Sequence, residues 1–153
     1  MSAIDIKISA TDLAKLRKKI ALLKKESTSK LRDNLAEAAS KSANKAVEFI
    51  NKKKIFDTGF LRQTVGFSAS NFKAEIFATA KYAPYHEFGT GTKVDVTDAQ
   101  KLGIPSSEIK RLYKGQGKRK VNINPRPFFF PAVRIGLNNM LKNIEKDLKS
   151  ITK

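Results

Sequence analysis

Val65-Gly-Phe-Ser-Ala-Ser-Asn-Phe-Lys-Ala-Glu-Ile-Phe-Ala-Thr-Ala80 decides the fold class. Val65, Phe67 and Ala69 alternate with Gly66 and Ser68, and after Ser70-Asn71 the residues Ala74, Ile76, Ala78 and Ala80 alternate with Glu75, Phe77 and Thr79. Two period-two runs on either side of a turn predict a β-hairpin, over about 63–69 and 73–80. On both sides of the hairpin the spacing becomes helical. Leu31, Leu35, Ala38, Ser42, Ala46, Phe49 and Ile50 predict a helix over 29–53. Its inner face between Leu35 and Ala46 is mostly Ala and Ser, small enough for another backbone to come close, so it should lie flat on a sheet or a partner helix. Glu37/Lys41 and Glu48/Lys52 stand at i,i+4 in the favourable order.

Further out the pattern is similar. Leu13, Leu16, Ile20 and Leu23 predict an earlier helix over 12–25, capped by Ser9, Thr11 or Asp12 and interrupted at Ser27, Thr28 and Ser29. Ile4, Ile6 and Ile8 alternate with Asp5 and Lys7, as in a short strand. Tyr82 to Thr92 is rich in aromatics and contains Pro84, which forbids a central strand, so a structured loop or short helical turn is expected. Gly59, Gly89 and Gly91 suit turns. Val121 and Ile123 predict a brief strand. Pro131 suits the first turn of a last helix, carried on by Val133, Leu137, Met140, Leu141, Ile144, Leu148 and Ile151. The order β-α-α-β-β-loop-β-α is an α+β domain. A small, mainly antiparallel sheet packs against a long N-terminal helix and a C-terminal helix.

At 153 residues the chain is the size of one domain, 1–153, long enough to bury a core without staples. Cys is absent, which excludes disulfides and thiolate chemistry, and the single histidine, His86, excludes a His-rich zinc site. No apolar run approaches ~18 residues and no basic start leads into an apolar block, so neither a membrane partner nor a secretory signal is expected.

Charge is the outlying property. Lys and Arg number 31 against 14 Asp and Glu, a net +17. Such a field favours polyanions or an acidic protein surface. It is uneven: residues 1–57 carry 14 basic and 7 acidic side chains, 58–100 carry 4 of each, and 101–127 carry 8 and 1. Many N-terminal lysines fall on the polar side of a periodic helix, where a solvated face explains them. The later block is different. Lys110, Arg111, Lys114, Lys118, Arg119 and Lys120 surround Tyr113 in a glycine-bearing stretch, part of an extended, mobile basic loop expected over 93–124. Ser106 to Tyr113 has the makings of one short helix within it. Flexible cations beside an aromatic fit a phosphate backbone without reading sequence, and equally fit an acidic neighbouring protein.

Catalysis finds little support. His86 with Glu87 is the one acid–base pairing present, and a general base needs a positioned partner and a pocket. Gly115-Gln-Gly117-Lys118 lacks P-loop spacing, Gly89-Thr-Gly91 is a turn, and the carboxylates form no D-x-D cluster. No cofactor, metal or catalytic residue is expected.

Three stretches share an order and spacing that single motifs would not carry. Asp57-Thr-Gly-Phe-Leu-Arg-Gln-Thr-Val65 follows the long helix, Tyr82-Ala-Pro-Tyr-His-Glu-Phe-Gly-Thr90 follows the hairpin, and Arg126-Pro-Phe-Phe-Phe-Pro-Ala132 opens the last helix. Together, over about 10–150, they resemble the neck and tail-completion (head–tail joining) proteins of long-tailed bacteriophages. The pattern there is T-G-x-L-R-x-S-[IV], Y-A-x-x-x-E-x-G-T and R-P-F-x-x-P-A. Thr64 stands where Ser is usual, and Phe130 where Arg is frequent.

The resemblance implies a structural virion protein rather than an enzyme. It would form a homo-oligomeric ring, a hexamer or dodecamer, at the head–tail neck, assembled in the host cytoplasm and surrounding the passage for double-stranded DNA. Its partners would be the head connector or completion protein and the tail terminator or tube protein. The motif or interface residues it singles out are Thr58, Gly59, Leu61, Arg62, Tyr82, Tyr85, Glu87, Phe88, Gly89, Arg126, Pro127, Phe128 and Pro131. Arg62 and Glu87 are a candidate ion pair, within the subunit or across a ring interface. The alternative is a sequence-independent nucleic-acid-binding protein.

Overall fold

In the computed structural model, which describes residues 10–55, 59–107, 109 and 122–151, helical periodicity upstream of the hairpin becomes a single element. Helix α1 runs Ala10–Lys52 without a break, 43 residues or ~65 Å. The expected interruption at Ser27–Ser29 does not occur. Ser27 and Thr28 donate their hydroxyls to the carbonyls of Leu23 and Lys24, both at 2.7 Å, so they back-bond along the helix instead of capping a new one. The strand expected over Ile4–Ile8 lies outside the described residues.

The end of α1 is tightly specified. Lys54 takes a left-handed φ of 51°. The Ile55 N–H reaches back to the Ile50 carbonyl at 3.0 Å, and the Lys54 N–H to that of Asn51 at 3.1 Å. This is the Schellman closure, with lysine where glycine is usual and Ile55 turned into the core. A short helix α2, Phe60–Thr64, leads into strands β1 (Val65–Ser70) and β2 (Lys73–Ala78). The strands pair antiparallel, with Val65 opposite Ala78, Phe67 opposite Ile76 and Ala69 opposite Ala74. The apolar alternation therefore lies on one face, which is half-buried at Val65, Ala74, Ile76 and Ala78 and exposed at Phe67 and Ala69. Asn71 supplies the positive φ, 50°, of the two-residue connection.

Helix α3 (Ala83–Phe88) carries Pro84 in its first turn, where a missing N–H costs nothing. A 3₁₀ turn at Gly91–Lys93 and a short helix α4, Thr97–Gln100, follow. Helix α5, Phe129–Ile151, is 23 residues long and begins two residues before Pro131. The protein is thus α+β: α1, a two-stranded antiparallel sheet, and α5 packed on α1. Of the strand expected at Val121 and Ile123, Val121 lies outside the described residues; Ile123 is in no strand and bonds to Thr90 through both its N–H and its carbonyl.

Helices α1 and α5 run antiparallel. Going down the seam, Lys30 bonds Ser150, Asn34 bonds Asp147 at 2.8 Å, and Asn143 bonds Glu37 at 3.2 Å. At the tightest point a Cβ on Gly136 would lie 1.9 Å from Ser42 Oγ and 2.9 Å from the Ala38 carbonyl. The small inner face read from the sequence is this helix–helix contact.

Two apolar clusters result. The larger joins Ala46, Ile50 and Ile55 to Leu61, Ala80, Ala83, Phe128 and Ala132, with Phe49, Val65, Ala78, Tyr82 and Phe129 at its margin. The smaller joins Phe88, Val96, Ala99 and Ile109, with Val94, Ile104 and Phe130 against them. The described half of the loop expected to be extended over 93–124 is therefore folded. Four apolar residues of 94–104 and Ile109 reach back onto Phe88 and Phe130, burial that holds a segment in place.

Candidate functional site

The last two of the three motif stretches meet at Glu87. Its side chain is buried, 4% exposed, at the start of α5. One carboxylate oxygen accepts the N–H groups of Phe128 and Phe129 at 2.7 and 2.8 Å, and the other accepts that of Phe130 at 3.0 Å. A helix N-terminus leaves N–H groups without intrahelical partners and carries a partial positive charge. A carboxylate from another element meets both needs at once. Burial pushes the Glu87 carboxyl above its ordinary value, while the three N–H donors and the Lys53 ammonium pull it back. Lys53 also donates to the carbonyl of Pro127, two residues before the helix begins.

Backbone contacts complete the junction. The Arg126 N–H donates to the His86 carbonyl at 2.6 Å, and the Arg126 guanidinium reaches the Lys54 carbonyl at 3.4 Å. Gly89 has φ 72°, and a Cβ there would stand 2.7 Å from the Ile123 carbonyl. Glycine is required on both counts. Pro131 falls in the first turn of α5. Phe128 is fully buried, whereas Phe129 and Phe130 are half-buried and serve different clusters. Tyr82 meets His86 edge-on with ring centroids 5.8 Å apart, and Tyr85 faces solvent.

The first motif stretch joins the same core through Leu61, which is buried beside Phe128 and Ala83. Gly59 has φ 74° at the start of α2. The candidate Arg62–Glu87 pair is not how these side chains are used. Arg62 donates to Asn51 Oδ1 at 3.1 Å, and the two oxygens of Glu87 are turned to the backbone of α5. A buried carboxylate is better satisfied by three preoriented N–H groups than by a flexible surface guanidinium. Glu48 likewise pairs with Lys45 at 2.7 Å rather than with Lys52, whereas Glu37–Lys41 forms as expected.

Thr58 and the cations Lys110, Arg111, Lys114, Lys118, Arg119 and Lys120 lie outside the described residues. Sequence reasoning missed Lys53, Asn51 and Gly136. For Gly136 a signal existed, a glycine in the apolar pattern of a helix; for the other two, nothing local marks the partner.

Beside the junction an open cleft of about 190 Å³ is lined by Ala78, Pro84, Phe88, Phe129 and Phe130, with Glu87 at its base. With its carboxylate already accepting three hydrogen bonds, the cleft offers an apolar seat rather than a reactive group. Among the described residues no cluster of three or more His, Asp or Glu side chains is placed to hold a metal ion, and no helix is long and apolar enough to cross a membrane.

Comparison with protein-family models, with curated proteins and with solved structures gave no match.

Proposed function

We propose that this chain is a structural subunit of the neck or tail-completion type. It forms a homo-oligomeric ring that joins a phage tail to its DNA-filled head. The observation that carries this reading is the convergence of the three motif stretches. Leu61, Glu87 and Phe128 come from separate segments and build one junction, so the shared pattern corresponds to one architectural unit. Exposed apolar side chains add support. Phe60, Phe67, Phe72, Phe77 and Tyr85 leave α2, the hairpin and α3 with large apolar groups at the surface. A subunit enclosed by neighbours has reason to keep such groups there. The engagement of Glu87 in capping also favours assembly over chemistry.

Imaging of assembled particles tests the proposal. Density for a ring of this chain between head and tail is expected, with heads and tails left separate when the gene is deleted. Particles that join normally without the protein overturn it.

The charge favours a second reading, sequence-independent nucleic-acid binding. Arg17, Lys18, Lys19, Lys24 and Lys25 are all exposed on α1, and the net charge of the chain is +17. Six neutralised phosphates on duplex DNA would give a log–log salt slope of about −5 in filter binding. Absence of binding at low salt ends this reading.

A further inference from the structure

Among the described residues, none packs over α1 between Ala14 and Glu26. The α1–α5 seam ends at the Lys30–Ser150 contact, and every residue from Ala14 to Glu26 is exposed. Leu16, Ile20 and Leu23 are 51, 55 and 41% exposed. They lie on one stripe that, at about 100° per residue, runs straight on into Ser27, Leu31 and Asn34. Those three residues line a cleft of about 160 Å³ with Ile144, Asp147 and Leu148 at the end of α5. The exposed stripe is thus the same face of α1 that α5 covers further along.

Charge and shape restrict what covers it. Residues 14–26 carry Lys15, Arg17, Lys18, Lys19, Lys24 and Lys25 against Glu26 alone. Lys19 lies on one border of the stripe, and Arg17 and Lys24 on the other. A second copy of the same arm would bring cations onto cations. A planar bilayer is blocked, because the end of α5 stands one helix diameter, ~10 Å, proud of the stripe. A phosphate backbone would use the cations and leave the Leu–Ile stripe in water.

We propose that the α1 arm, residues 14–26, is a docking site for an acidic amphipathic helix of another protein. That helix lies on the Leu16–Ile20–Leu23 stripe, end to end with α5, with its carboxylates against Lys19, Arg17 and Lys24. The arm is about four turns, ~20 Å. A lone segment of that length is marginal as a helix in water, so the docked partner also supplies the packing that α5 gives the rest of α1. The inference concerns the arm's chemistry and stands apart from the neck assignment, which the particle experiment tests separately.

The probe is a labelled synthetic helical peptide of about four turns with a Leu stripe and Glu and Ala elsewhere, titrated into the full chain by fluorescence anisotropy. Saturable binding that weakens with salt is expected. Leu16→Ser, Ile20→Ser and Leu23→Ser together should weaken it about tenfold or more, because charge is untouched and only apolar contact is lost. Leu16→Met, Ile20→Val and Leu23→Met should keep it. The serine variant lies beyond the α5 contact, so its thermal unfolding should match the parent. Equal binding of a scrambled peptide of the same composition, or equal binding by the serine variant, overturns the proposal. So does a concentration-dependent dimer that the serine variant abolishes, or tighter binding to anionic vesicles or duplex DNA that depends on the stripe.

Discussion

Gly136 sits against Ser42 so closely that no side chain fits between them: a Cβ on Gly136 would be 1.9 Å from Ser42 Oγ. This contact sets how near α5 comes to α1, and with it the placement of Phe128 and Ala132 in the core. Gly136→Ala should destabilise the protein by about 1–3 kcal/mol through overpacking, although alanine is the better helix former. Adding Ser42→Ala removes the hydroxyl but leaves the Ala38 carbonyl, so it should recover part of the loss. Urea denaturation of the two variants measures both effects; an unchanged midpoint for Gly136→Ala would show that the helices separate without cost.

Glu87 ties α3 to α5, and its removal should be felt as lost hydrogen bonds. Glu87→Ala leaves three N–H groups at a part-buried helix end without their acceptor, a cost of about 1–3 kcal/mol. The pH dependence has a definite sign. Burial raises the folded-state carboxyl above its unfolded value, so the folded protein holds this proton more tightly. Its contribution to stability therefore falls as pH rises from the unfolded value through the folded one, and is flat beyond. Relative to Glu87→Gln, which does not titrate, the parent should lose stability across that window. The opposite slope would mean that the N–H donors outweigh burial.

Lys54 closes α1 with a left-handed φ of 51°, a conformation that strains any residue with a Cβ. Its side chain is exposed. Lys54→Gly should stabilise the fold by about 1 kcal/mol while keeping the Ile55-to-Ile50 hydrogen bond. A higher melting temperature by calorimetry is the expected result.

Ser27 and Thr28 lie mid-helix with their hydroxyls bonded to the preceding turn. Replacing both by Ala should raise helix content and add about 1 kcal/mol, the propensity difference for the pair. Far-ultraviolet circular dichroism and hydrogen exchange across residues 23–30 would register the gain. A fall in helicity would show that the hydroxyls support the helix.

The hairpin and the small-residue contact face were legible because each is a repeat of period two or of about three and a half in adjacent residues. The continuity of α1 was not. Ser-Thr-Ser has the composition of a cap, and whether it caps or back-bonds depends on whether apolar positions on both sides find one common face. The segment after Thr92 read as mobile because its polar residues outnumber its apolar ones, yet Val96, Ala99 and Ile109 suffice to fold its described half onto Phe88.

What the sequence by itself determined was local: helix against strand, the inner face of the long helix, the glycines at turns, the proline in a first turn. Those follow from dihedral sterics and side-chain periodicity within a few residues. Only the tertiary structure decided that Glu87 caps α5, that Lys53 holds Pro127, and that α1 outruns its partner by some thirteen residues, Ala14 to Glu26, that stay exposed. Such pairings join residues 40 or more positions apart. They depend on which surfaces meet once the apolar faces are buried, and no short stretch of chain contains that information.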